Sequence, residues 1–229
     1  MAKTKSWTRW WLELTRRFEC AIAWSKRAST AFARPSVLAA LLAVLTPVCV
    51  ILIRSTLHAT VNTITVDTIA DPGTSSQCSL RAAINNANNK SSGSSTCAAG
   101  TGTDTIVFSV SGTIALTSNL PQIKNNLTID GSGQTITVDG TNGSVFQMLE
   151  VLSVATLNLN NLTIAHGHAY AGGGIYNDGG TLTVTNSTLS GNSATSFGGG
   201  GIYDLGGTLT VTNTTFSHNS ATGSTGGGI

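Results

Sequence analysis

Charged residues are scarce in this chain of 229 residues. They account for 10% of the sequence, and no Lys or Arg follows Lys124. Binding of a nucleic acid requires clustered cations that face the phosphates. A lyase that acts on uronates requires a cation and a basic side chain beside the substrate carboxylate. The sequence beyond Lys124 therefore makes nucleic acid a poor partner, and it offers no Lys or Arg for uronate chemistry.

Cysteine is rare as well, since the chain contains four. Cys20 and Cys49 lie in the basic N-terminal segment, which leaves Cys78 and Cys97 as the pair in the remainder. Two cysteines are too few for a structural zinc site. A disulfide between them would close a loop of about 20 residues, would contribute about 3 kcal/mol through loss of chain entropy, and would fit an oxidising compartment.

The first 59 residues differ in charge from the rest. They hold nine basic and two acidic residues, a net charge of +7, whereas residues 60–229 hold three basic and eight acidic residues, a net charge of −5. An uncharged run at 37–53 is typical of a signal or membrane helix, and its basic flank predicts export of the remainder of the chain. We predict a membrane-contacting leader at 1–59, either cleaved or retained as an anchor. Alternatively, residues before about 33 are a start-site artefact.

The sequence is rich in repetition. The segment TLTVTNSTLSGNSA at 181–194 recurs as TLTVTNTTFSHNSA at 208–221, 27 residues later. Leu182 and Val184 alternate with threonines, which is typical of a strand with one apolar face. A unit this short cannot bury that face alone, but stacked copies can. The repeat therefore predicts an all-β protein, a parallel β-helix whose equivalent strands lie about 4.8 Å apart.

Stacking assigns roles to the repeated positions. Asn186 over Asn213, and Asn192 over Asn219, are predicted to form side-chain ladders. The apolar positions are predicted to form the core: Ile175, Leu182, Val184, Ile202, Leu209 and Val211.

Weaker copies extend the β-helix towards the N-terminus. The segment at 155–169 aligns with the repeat at a spacing of 25, and alternating apolar residues continue back to residue 105, with one short strand at 146–148. We predict five to six coils over 105–229. The closing residues 226–229 match the opening of a further coil, so we expect the last coil to be incomplete and the chain to be a fragment.

The region 60–104 is predicted to form a cap on the first coil. Its central segment, 79–88, has apolar residues at the i, i+3, i+4, i+7 spacing of an amphipathic helix, and Ser79 is a suitable N-cap. The exposed end of a β-helix requires such a cover, and the Cys78–Cys97 bridge would fasten it. The cap residues are Leu80, Arg81, Ala83, Ile84 and Ala87.

Several of these segments together resemble a known family. They are CSLRAAINNAN at 78–88, DTIVF at 104–108, LTIDG at 127–131, LTIAHG at 162–167 and the GGGIYN…TLTVTNSTLSGNSA units. The chain is similar over residues 60–229 to the bacterial CSLREA-type β-helix proteins, whose repeats are related in style to polymorphic outer-membrane and filamentous-haemagglutinin-like surface proteins. The resemblance implies a right-handed parallel β-helix at a bacterial cell surface. The family's Glu is replaced by Ala82 here, so Arg81 needs another partner, such as Asp104.

Residues that could carry chemistry are few. Asp178 and Asp204 lie 26 apart and could form the carboxylate pair of a hydrolase, or they are turn residues. His166 and His168, with His218, could be metal ligands or exposed turn histidines. We predict no catalytic residue, metal or cofactor.

The predicted function is adhesion, or a structural role in the cell envelope, with glycans or other surface proteins as partners. The alternatives are a carbohydrate-active enzyme whose catalytic coils lie beyond residue 229, and a stalk that carries another domain.

Overall fold

The computed structural model describes residues 61–93, 95–141, 147–223 and 226–229. They all belong to the second of the two units into which the chain separates, Ala59–Ile229. The predicted leader at 1–59, its apolar run at 37–53, Cys20 and Cys49 lie outside the described residues, as does Phe146 of the strand predicted at 146–148. Over the described ranges, no helix combines the length and the apolar character needed to span a bilayer.

The described chain contains one helix, α1 (Leu80–Asn89), and seventeen short strands. The strands are β1 (Asn62–Val66), β2 (Thr103–Phe108), β3 (Gly112–Ala115), β4 (Asn126–Asp130), β5 (Ile136–Asp139), β6 (Leu149–Leu152), β7 (Thr156–Asn160), β8 (Thr163–Ala165), β9 (His168–Ala169), β10 (Ile175–Asp178), β11 (Thr181–Thr185), β12 (Thr188–Ser190), β13 (Ser193–Ala194), β14 (Ile202–Leu205), β15 (Thr208–Thr212), β16 (Thr215–Ser217) and β17 (Ser220–Ala221).

These strands form four parallel sheets that surround one core. Sheet 1 has the order β1-β2-β4-β7-β11-β15, sheet 2 β3-β5-β8-β12-β16, sheet 3 β6-β10-β14 and sheet 4 β9-β13-β17. A complete turn such as β10 to β13 visits sheets 3, 1, 2 and 4 in that order. The fold is thus a parallel β-solenoid of about four turns.

The register follows the repeat. Thr181 to Thr185 pair with Thr208 to Thr212 at the 27-residue spacing, and the same residues of β11 pair with Thr156 to Asn160 at the 25-residue spacing. Since the extra two residues of the longer turn fall between β13 and β14, they leave the pairing of sheets 1 and 2 unchanged. The solenoid also begins earlier than residue 105, because β1 pairs with β2 within the range assigned to the cap.

The core is a column of aliphatic side chains from successive rungs. Leu182, Val184, Ile175 and Ile202 have no exposed surface. The two remaining predicted core residues, Leu209 and Val211, pack against this core but are only half-buried. They lie on β15, the last strand in the order of sheet 1, so only one neighbouring rung covers them.

Helix α1 adds its apolar face to the same core. Ser79 Oγ accepts a hydrogen bond from the Ala82 N–H at 3.2 Å, which satisfies one free donor of the first turn. The helix ends before Lys90, whose φ of 53° is left-handed, and it contacts β1 and β2. It therefore begins and ends one residue later than the predicted span 79–88. Its buried residues are Leu80, Ala83, Ile84, Asn86 and Ala87.

Two equivalent leucines test the dependence of the fold on stacking. Leu182→Ala is expected to lower the free energy of unfolding by about 3 kcal/mol, because it leaves a cavity between two rungs. Leu209→Ala should cost about half as much, because less of its surface is removed from water. Urea unfolding of the full-length variants, followed by far-UV circular dichroism, measures both. Equal losses would contradict the difference in burial.

Candidate functional site

A disulfide closes the segment from Cys78 to Cys97, which contains helix α1 and the loop after it. Cys78 and Cys97 are both buried and bonded, with their Cα atoms 4.7 Å apart. The loop is held further by Asn86, whose side-chain amide donates to the carbonyl oxygens of Cys97 (3.2 Å) and Ala98 (3.0 Å). The predicted pairing of the two cysteines is therefore present, and the buried amide of Asn86, which the sequence pattern did not single out, supports it.

The partner of Arg81 differs from the one expected. Its guanidinium forms a bidentate ion pair with Asp71, with both N···O distances at 2.7 Å, and also donates to the carbonyl oxygens of Ser118 and Asn119. Asp104, the suggested partner, is buried and accepts hydrogen bonds from the N–H groups of Thr101 and Gly102 instead. The expectation was wrong because the carboxylate of Asp104 is used by its own preceding turn.

The Arg81–Asp71 pair joins helix α1 to the segment before it, and both side chains also bond to the segment that follows β3. Desolvation raises the pKa of the Asp71 carboxyl, but hydrogen bonds from Arg81 and Thr117, together with the charge of Arg81, outweigh it, so the pKa lies below its ordinary 3.8. A carboxyl whose pKa is lowered by folding contributes stability above its unfolded value. That contribution is lost as the pH falls below 3.8 and through the pKa of the folded state.

The pH dependence of stability tests this pair. Asp71→Asn should be less stable than the wild type at neutral pH, by about 3 kcal/mol, because Arg81 is left without its partner. The difference should shrink below about pH 4, where the carboxyl of the unfolded chain takes up a proton, and it should be lost once the pH falls through the lower pKa of the folded state. Thermal unfolding midpoints across the acid range measure this, with Asp130→Asn at the end of β4, where the carboxylate accepts only from its neighbour Ser132 among the described residues, as a control. A difference that stays constant with pH would exclude the assignment.

A ladder of asparagines runs along the corner between sheets 2 and 4. Asn192 is fully buried; its Oδ1 accepts from the Gly167 N–H at 2.9 Å, and its Nδ2 donates to the Ile164 carbonyl at 3.0 Å and to Asn219 Oδ1 at 3.0 Å. Asn219 repeats the pattern one rung on, since its Nδ2 donates to the Leu189 carbonyl at 2.8 Å. These amides satisfy backbone groups that the turn leaves unpaired inside the core.

The second predicted ladder has another origin. Asn186 and Asn213 have φ values of 50° and 49°, and Asn161 of the preceding rung has 55°. Within the described part of the chain, the side chains of Asn186 and Asn213 make no hydrogen bond to each other, and both residues are exposed. They recur because asparagine tolerates the left-handed backbone that this corner requires.

The two kinds of asparagine should respond differently to substitution. Asn192→Ala leaves the buried Gly167 N–H without its acceptor and removes the side-chain bonds to the Ile164 carbonyl and Asn219, which should cost about 2 kcal/mol or more of the free energy of unfolding. Asn186→Gly, the matched control, should change it by less than about 0.5 kcal/mol, because glycine adopts a positive φ freely. Chemical unfolding of the two variants compares them, and similar costs would show that the ladder at Asn192 has no special role.

The histidines do not converge. His166 Nδ1 lies 3.3 Å from both carboxylate oxygens of Asp139, while His168 Nδ1 lies 2.6 Å from Ser193 Oγ. Desolvation raises the pKa of Asp139, but hydrogen bonds from Thr141 and His166 outweigh it and lower the pKa below 3.8. Among the described residues there is no group of three or more His, Cys, Asp or Glu side chains arranged to hold a metal ion.

The two aspartates considered for hydrolysis point to opposite sides of sheet 3. Asp204 pairs in register with the buried Asn177, and Asp178 pairs with the exposed Leu205. Because side chains alternate along a strand, this one-residue offset places Asp178 outside and Asp204 inside. Asp204 Oδ1 accepts a hydrogen bond from Asn177 Nδ2. The hypothesis of a carboxylate pair across neighbouring rungs is therefore wrong.

The outward side chains of sheet 3 form a surface of aromatic, apolar and acidic residues. The rings of Tyr176 and Tyr203 stack with centroids 5.6 Å apart and 9° between their planes, and the Phe197 ring lies 6.5 Å from that of Tyr203. We call this surface the aromatic face; it comprises Glu150, Leu152, Tyr176, Asp178, Tyr203 and Leu205, with Phe197 at its margin.

Acidic groups surround the first tyrosine of the aromatic face. Partial burial raises the pKa of the Tyr176 hydroxyl above 10.0, and the nearby Asp178, Tyr203 and Glu150 raise it further. The Ile-Tyr pairs at 175–176 and 202–203 were assigned to the predicted core only through their isoleucines. The tyrosines recur at the same 27-residue spacing, and that signal could have located the aromatic face.

Compared with protein-family models, with curated proteins and with solved structures, the chain matches none of them.

Proposed function

We propose that the chain is an exported, non-catalytic solenoid of the CSLREA type that serves adhesion or a structural role at a bacterial cell surface. The observation that carries this proposal is the register of the rungs, which presents the same side chain again and again along one face. On sheet 1, Thr181, Thr183 and Thr185 lie directly beside Thr208, Thr210 and Thr212. Such an array suits many weak contacts made at once.

Export is supported by the disulfide and by the charge distribution. A buried disulfide is typical of chains that fold in an oxidising compartment. The basic leader with its apolar run at 37–53 provides the expected route through the inner membrane. In this proposal, α1 covers the first rungs as a cap, and the solenoid is right-handed, as nearly all parallel β crossovers are.

The absence of catalysis in the proposal rests on the arrangement of the acidic residues. The carboxylates of Asp71, Asp104, Asp139 and Asp204 are engaged by neighbouring groups. Asp178 lies on the outer side of sheet 3, away from Asp204, so these two cannot flank a single glycosidic bond. Partners in this proposal are glycans or other surface proteins, and nucleic acid is not among them.

A tagged full-length protein in a bacterial host with an outer membrane tests the proposal. The tag should be accessible to protease added to intact cells, or recovered from the medium, and the cells should bind glycoprotein-coated surfaces better than cells that export an unrelated protein. Incubation of the purified chain with pectin should release no unsaturated uronate. A tag confined to the cytoplasm would contradict export, and a uronate signal would contradict the non-catalytic role.

A further inference from the structure

We infer that the aromatic face is a binding site for neutral glycan chains; this inference rests on the proposed adhesive function and assigns its contact surface. The central observation is an apolar strip that the fold does not need. On sheet 1 the outward column beside Leu182 and Val184 is Thr105, Thr128, Asn158, Thr183 and Thr210. These polar residues form the same solenoid without any outward aromatic ring.

The strip is exposed to solvent. Phe197 is 60% exposed and Leu205 is 48% exposed. Both adjoin the stacked tyrosine rings, Leu205 from the same strand as Tyr203 and Phe197 by ring contact. Grouped apolar side chains on a polar surface mark binding sites more often than isolated ones do.

The size of the aromatic face favours a small occupant. Three neighbouring strands of four residues cover roughly 10 Å by 13 Å, given strand spacings of about 4.8 Å and rises of about 3.3 Å per residue. A stable protein partner needs about 800 Å² on each side, several times this area. A few linked sugar rings fit the strip, whereas a folded protein would have to bind mostly elsewhere.

The aromatic rings and carboxylates of the aromatic face then indicate the class of ligand. The C–H groups of a sugar ring can pack against an aromatic ring, and the exposed Phe197 at the margin of the stacked tyrosines offers such a surface. Sugar hydroxyls can donate to the carboxylates of Glu150 and Asp178, which both lie near the Tyr176 ring.

The charge of the aromatic face further restricts the class of sugar that it fits. The aromatic face contains two carboxylates and no Lys or Arg, so none of its side chains can pair with a uronate or sulfate group. Lys124, the last basic residue of the sequence, follows Ile123, which pairs with Val151 of β6, so it borders the aromatic face beside Leu152 as a single cation against the two carboxylates. The carboxylates of Glu150 and Asp178 repel acidic sugars. The aromatic face therefore fits a neutral hexopyranose chain and disfavours an acidic one.

Affinity electrophoresis of the full-length protein tests the inference, with hydroxyethylcellulose as a neutral glucan, polygalacturonate as an acidic polymer and chitosan as a basic one. The wild type should be retarded by the neutral glucan and not by polygalacturonate. Phe197→Ala combined with Tyr203→Ala should weaken retardation by about fivefold or more, in line with the loss of stacking contacts. Ile69→Ala, an exposed apolar residue beside β3, should leave it unchanged.

A second variant keeps the test decisive if the first variant misfolds. Glu150→Gln with Asp178→Asn preserves the shape of the outward side chains and should still weaken retardation about threefold, because charge-assisted hydrogen bonds are lost. The inference would be overturned if the neutral glucan still retarded both variants as strongly as the wild type. It would also be overturned if chitosan or polygalacturonate retarded the wild type and the neutral glucan did not. If the variants lose glucan retardation while the cells still adhere to glycoprotein surfaces, the site stands and adhesion uses further contacts. If the wild type binds no glucan at all, the inferred glycan site is wrong, and the proposed adhesive function is then tested by the adhesion assay alone.

Discussion

The structure depends on parallel, in-register contact between equivalent residues of successive turns. Leu182 and Val184 pair with Leu157 and Leu159 on one side and with Leu209 and Val211 on the other. A short rung has too few apolar side chains to exclude water, but each rung covers its neighbours and the cost of ordering the chain is offset along the stack. The contrast between fully buried Leu182 and half-buried Leu209 shows how much of that burial is supplied by the adjacent rung.

The same constraint governs the corners, because every rung has to turn with the same backbone geometry. One corner has left-handed residues at Asn161, Asn186 and Asn213, and another at His166, Gly191 and His218. Where the turn leaves backbone N–H groups without partners, the side-chain oxygens of Asn192 and Asn219 accept from them. An asparagine therefore recurs for two unrelated reasons within one repeat, and the repeat alone does not distinguish them.

What can be predicted from the sequence depends on whether a contact recurs from rung to rung. The spacing of 27, and of 25 before it, predicts the strands, their parallel pairing and the aliphatic column, because periodic burial leaves a periodic pattern. It does not predict the partner of Arg81, which joins residues 71 and 81 to carbonyl groups at 118 and 119. It also cannot show that Asp178 and Asp204 face opposite ways, since a shift of one residue reverses a side chain on a strand.

The outward positions carry the functional information for the same physical reason. Inward columns are mostly aliphatic and corner columns have to accept a left-handed turn, so their composition reports mainly the fold. Outward columns are free of both demands, and on sheet 1 they are filled mainly by threonine, which suits a strand and exposes hydroxyls to water. On sheet 3, stacked tyrosines lie beside two carboxylates at positions where threonine would suffice. The departure from the simplest outward residue, rather than the repeat itself, is therefore the feature that points to a ligand.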